Sequence, residues 1–87
     1  MTYRIDLTRR AAKALDGIDK PQRRRVMTVI DALAAEPRPP RCVKLSGRDN
    51  QWRVRAGDYR VLYEVHDARL LVLVIEVGHR SDIYRKP

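Results

Sequence analysis

Phenylalanine is absent from this 87-residue chain, and cysteine occurs once. The lone Cys42 excludes a disulfide within the chain. His66 and His79 are the only histidines beside it, too few for a four-ligand zinc site, so neither a metal nor a cofactor is expected. An unpaired cysteine suits a reducing compartment, which makes the cytoplasm the expected location. Long apolar runs are missing too. The longest, residues 70–75, falls far short of the roughly 20 residues a helix needs to cross a bilayer. The N-terminal stretch lacks the apolar segment of a secretory signal. With no repeat, heptad or low-complexity tract, the expectation is one small domain over residues 1–87, able to fold on its own core.

Acidic residues are scarce against basic ones. Eleven Asp and Glu face nineteen Lys and Arg, a formal charge of +8. Fifteen of the nineteen are arginine, the rest being Lys13, Lys20, Lys44 and Lys86. Arginine presents a flat fork of donors that pairs bidentately with phosphate or carboxylate. Two readings of this surplus stand: a surface that meets a polyanion or an acidic protein, or an ordinary solvated basic surface.

The hydrophobic pattern orders the elements. Tyr3, Ile5 and Leu7 alternate with Arg4 and Asp6 as in a half-buried strand. Thr8 stands where a helix N-cap belongs, and Ala11, Ala12, Leu15 and Ile18 recur at helical spacing up to Gly17. Asp19 is placed to cap a second helix, with Pro21 in its first turn and Val26, Val29, Ile30 and Leu33 as its apolar stripe. The proline-rich residues 36–40 end it. Beyond them the period changes from 3.6 to 2. Residues 42–45 read as extended, 46–50 as a turn, and 51–56 and 59–65 as strands joined at Gly57-Asp58. Residues 70–77, nearly all apolar and β-branched, predict a central strand covered on both faces. The expected class is α+β: a small antiparallel sheet in strand–helix–helix–strand–strand–strand order, with a helical hairpin on one face.

Alternation puts Arg53 and Arg55 on one face of their strand and Trp52 and Val54 on the core side. Arg60 follows on the next strand, and His79 and Arg80 follow Gly78. If the strands are neighbours, these arginines meet on one surface, although the parity between Arg55 and Arg60 depends on the turn between them. Guanidiniums gathered without carboxylates repel one another, and an anion completes such a cluster. The ordinary alternative is a charged solvent face guarding a sheet edge. His79 read alone is a turn residue, and Tyr84 read alone is packing.

The element order, with Trp52-Arg53-Val54-Arg55, then residues 57–65 (GDYRVLYEV), then Val77-Gly78-His79-Arg80 and Tyr84, resembles the RelE group of the RelE/ParE toxins over essentially the whole chain. The resemblance implies a small basic toxin of a type II toxin–antitoxin module that cleaves messenger RNA on the ribosome and is silenced by a bound acidic antitoxin. It implies a catalytic set of Arg53, Arg55, Arg60, Arg80 and Tyr84. The implied chemistry is attack of a ribose 2′-hydroxyl on the adjacent phosphate, whose extra negative charge preorganised guanidiniums stabilise.

The chain departs from the best-known members, which carry lysines where Arg53 and Arg55 stand and assign one of them to proton abstraction. Arginine is a very poor base at neutral pH. His79, whose unperturbed pKa lies near ~6.5, is therefore added to the catalytic set as the alternative proton acceptor. Arg23, Arg24 and Arg25 on the second helix, with Lys44 and Arg48, form the expected contacts to ribosomal RNA or message; a solvated helix face is the plainer reading of the triplet. Two further functions share the resemblance: a ParE-like poison of DNA gyrase with no nuclease chemistry, and a degenerate member that only binds its antitoxin.

Overall fold

The computed structural model of the chain describes residues 2–47 and 50–79. Strand β1 (Arg4–Leu7) leads into helix α1 (Arg9–Asp16) and helix α2 (Lys20–Ala32). Four strands follow: β2 (Val43–Lys44), β3 (Gln51–Ala56), β4 (Tyr59–His66) and β5 (Leu71–His79). They form one sheet in the order β1-β5-β4-β3-β2. The α+β class agrees with the sequence expectation, and the order agrees save for one more strand, β2, formed within the residues read as extended. The sheet is nevertheless mixed, because β1 lies parallel to β5 while all other pairs are antiparallel. The helical hairpin carries the chain from β1 to the far edge, and the β2–β5 meander then returns to it.

Thr8 caps α1 as its position predicted, its Oγ1 accepting from the Ala11 N–H at 3.1 Å and donating to the Ile75 carbonyl at 2.7 Å. One hydroxyl thus ties the start of α1 to β5. Asp19 occupies the N-cap of α2, but its side chain makes no capping hydrogen bond, and it forms no ion pair with Arg23. Ala11, Leu15 and Ile18 seal against Val26, Ile30 and Leu33 and against Val54, Val61, Tyr63, Val65, Val72 and Val74 of the sheet. Each fully buried side chain of this size contributes roughly 1.5–3 kcal/mol.

The strand β5 is interior, with neighbours on both sides, but it is not covered on both faces. Val72, Val74 and Val77 are buried toward the helices, whereas Leu73, Ile75 and Glu76 are only half-buried. Among the described residues only one face of the sheet carries helices. A β-bulge shifts the pairing between Leu62↔Glu76 and Tyr63↔Val74, leaving Ile75 as the extra residue. Inserting one residue re-phases the strand, so Val77 and not Glu76 continues the buried row.

The segment between α2 and β2 is pinned from three sides. Tyr63 Oη donates to the Pro37 carbonyl at 2.8 Å. The Arg38 guanidinium forks onto Asp67, Nη2 to Oδ2 at 2.7 Å and Nη1 to Oδ1 at 3.3 Å, and lies 5.4 Å from the Trp52 ring centroid. Tyr3 Oη donates to the same Asp67 Oδ1 at 2.6 Å. Burial pushes the Tyr63 phenol far up. The Arg38 and Tyr3 hydrogen bonds hold the Asp67 carboxyl below its ordinary value.

A carboxylate with a depressed folded pKa stabilises the fold above its unfolded pKa, near ~3.9, and loses that contribution as pH falls through the lower folded value. The stability gap between the parent and Asp67→Asn is therefore expected to be full at neutral pH and to close as pH drops below about 4. Denaturation midpoints across an acid series check this; a gap that stays constant with pH contradicts it.

Candidate anion-binding site

The turn at Gly57-Asp58 has two residues, since Ala56 pairs with Tyr59. Gly57 has φ +63°, which places glycine at the first central position of a tight hairpin turn, where a side chain would be strained. A Cβ there would also stand 3.0 Å from Arg25 Cδ. This turn settles the parity that the sequence left open. Arg55 lies directly opposite Arg60, and Arg53 opposite Leu62, on the face without helices. On the other face Val54 meets Val61 and Ala56 meets Tyr59, within the core.

The edge strand completes the group. Val43 pairs with Arg53, so continuing the register brings Arg41 level with Arg55. Arg41, Val43, Arg53, Arg55 and Arg60 together line a shallow depression of about 290 Å³. Among the described residues its lining holds four guanidiniums and no carboxylate. Arg55 is exposed, and Arg53 and Arg60 are half-buried. Arg60 also donates to its neighbour's carbonyl, Tyr59 O, at 3.4 Å. Like charges directly opposite on paired strands destabilise a sheet, by about 1 kcal/mol at 4 Å even in water. An anion spanning Arg55 and Arg60 converts that repulsion into attraction.

The remaining predicted residues that the structure describes fall elsewhere. His79 pairs with Tyr59, not with Arg60, so the register places it on the opposite face; its ring packs edge-on against Tyr59 at 5.5 Å. Lys44 pairs with Trp52 and lies on the face opposite Arg53. Arg24 and Arg25 are exposed on α2 and Arg23 is half-buried, with the stem of Arg25 passing over the Gly57 turn. Arg48, Arg80 and Tyr84 lie outside the described residues. Arg41 was not among the expected site residues. Only the β2–β3 register marks it, and a two-residue strand after three prolines announces no register. No group of three or more potential metal ligands occurs among the described residues.

Four guanidinium donors, with no proton acceptor among the described lining residues, suit this face to gripping phosphates and stabilising developing negative charge. Sulfate or phosphate is expected to raise the thermal midpoint of the parent, and Arg55→Gln or Arg60→Gln to diminish that rise. At low salt the exposed Arg55→Gln is expected to cost no more than about 0.5 kcal/mol. Thermal scans with and without sulfate read both effects; an equal rise in all three proteins would contradict the site.

Residues 5–84 match the family model described as ParE toxin of type II toxin–antitoxin system, parDE. The archaeal RelE in a solved RelE–RelB complex from Pyrococcus horikoshii is similar at TM-score 0.81 and 33% identity, over 92% of this chain and 97% of that one. The toxin of the intact Escherichia coli RelBE toxin–antitoxin complex aligns at TM-score 0.77 and 28% identity, over 88% of this chain and 95% of its own. A candidate toxin, RelE1, from Methanocaldococcus jannaschii is 24% identical over 90 residues, covering 100% of both chains. The chain thus belongs to the ParE toxin family of type II toxin–antitoxin systems, as a RelE-type toxin of the RelE/ParE superfamily.

Proposed function

We propose that this toxin is an endoribonuclease acting on ribosome-bound messenger RNA. The observation that carries the reading is the grouping of Arg41, Arg53, Arg55 and Arg60 in one depression without a carboxylate among the described lining. In the reaction a ribose 2′-oxygen bonds to the neighbouring phosphorus and the 5′-oxygen departs. The 2′ proton is lost and the leaving oxygen gains one, giving a cyclic phosphate and a free 5′-hydroxyl. Arg55 and Arg60, facing each other, take the phosphate oxygens, on which charge builds in the transition state. Arg53 and Arg41 extend the grip along the strand of RNA. Arg80 and Tyr84 complete the set by the family resemblance.

Among the described residues the depression's lining supplies charge and holds no base, so on this reading the rate comes from orientation. Holding the 2′-oxygen, phosphorus and leaving oxygen in line is worth roughly 7–11 kcal/mol, which a small open sheet cannot impose on a flexible strand. A ribosome already constrains the message in its A site. Arg23, Arg24 and Arg25 on α2 are suited to ribosomal RNA phosphates. The cytoplasm is the place of action, and an acidic antitoxin that covers the basic surface is the silencing partner, as RelB complexes of the similar toxins suggest.

Cleavage is expected at codon-spaced positions of a message on programmed ribosomes and only feebly on the same message alone. Arg60→Ala is expected to abolish growth arrest on induced expression while changing stability by about 0.5 kcal/mol. Equal cleavage with and without ribosomes would overturn the dependence. A second reading, a gyrase poison acting by protein contact, draws on the match to the ParE model. DNA breaks, with messages intact after induction, would favour it.

A further inference from the structure

Arg41 reaches the arginine face on a segment that has almost no regular structure. Between the end of α2 and the two residues of β2 the chain passes through Pro37, Pro39 and Pro40. Proline fixes φ at these positions, and the Cys42 N–H closes a turn onto the Pro39 carbonyl at 2.9 Å. The segment is thus a stiff strap. Stiffness alone does not fix where its end lies; its upstream anchors do. These are Tyr63 Oη on the Pro37 carbonyl and the Arg38 fork on Asp67, with Tyr3 Oη on the same carboxylate.

We infer that Asp67, through Arg38, is a positioning residue for the RNA site: it holds the strap that presents Arg41 to a phosphate. Three chain segments meet at this carboxylate, namely the residues before β1, the strap, and the 3-10 turn Asp67–Arg69 between β4 and β5. None of the three contributes to the depression itself apart from Arg41. The Arg38 guanidinium is held on Asp67 and against the Trp52 ring, so its charge is committed and its role is mechanical. The inference rests on the arginine face being an RNA phosphate site.

Charge and mechanics predict opposite effects of removing the Asp67 carboxylate. Asp67→Asn raises the net positive charge of the protein, and simple attraction would then tighten RNA binding. Loosening the strap acts in the opposite direction. Binding of a short single-stranded 2′-O-methyl RNA, which has no free 2′-hydroxyl to react, is measured by fluorescence anisotropy for the parent, Asp67→Asn, Arg41→Ala and the double variant. Tyr3→Phe, which changes no charge at neutral pH, serves as a milder second lesion. Denaturation midpoints establish that each protein is folded.

Asp67→Asn is expected to weaken binding by roughly 3- to 10-fold in the parent background and to have no further effect once Arg41 is alanine, because groups that act through one another are non-additive. Tyr3→Phe is expected to act in the same direction with a smaller factor. The salt slope is expected to fall by about 0.7 in Arg41→Ala, the value of one phosphate contact on a single strand. Unchanged or tighter binding by Asp67→Asn would overturn the positioning role, as would an equal loss in both backgrounds. Arg60→Ala separates the two levels of failure. If it too binds RNA like the parent, the phosphate site itself is refuted; if it binds weakly while Asp67→Asn does not, only the positioning role falls.

Discussion

The two-residue turn at Gly57-Asp58 decides which side of the sheet the charges occupy. Strand side chains alternate with period two, so a slip of one residue between β3 and β4 would put the two strands out of phase, turning Arg53 and Arg55 into the core and Val54 out of it while Arg60 stayed on the open face. The positive φ of Gly57 and the Arg25 side chain packed over it hold the turn in its one productive form. With that register fixed, the buried valines and the arginine pair are two consequences of one alignment. The helices seal one face, and the charges have only the other.

Two smaller devices complete the division of faces. The bulge at Ile75 keeps Glu76 out of the buried row of β5, so the core admits no carboxylate. The cluster at Asp67 fastens the strap leading to β2, bringing Arg41 and exposed Val43 beside the other arginines. The sheet face therefore carries its charge as a built feature of strand pairing rather than as scattered surface arginines.

Much of this was legible from residues alone because the periods are clean. Thr8 before a helical stripe, prolines after α2 and alternating valines after Gly57 each have a local physical meaning, and each element formed where those signals stood. What stayed hidden was what pairing over long sequence distance decides. The parallel seat of β1 beside β5, the facing of Arg55 and Arg60, the placement of His79 beside Tyr59 and the arrival of Arg41 all depend on register between strands. The Tyr3–Asp67–Arg38 contact was equally invisible, since it joins residues 64 and 29 positions apart. The functional set outlined by family resemblance extends to Arg80 and Tyr84, beyond the described residues.

The central claim is that nucleic acid binds the helix-free face through the guanidiniums of Arg41, Arg53, Arg55 and Arg60. Arginine side-chain NMR resonances, assigned by single substitution and followed during titration with 2′-O-methyl RNA, test it most directly. The account predicts that these four shift first and together, with the shifts suppressed by salt, while Arg9 and Arg10 of α1 move little. Shifts confined to the helix arginines, with Arg55 and Arg60 unmoved at saturation, would contradict it.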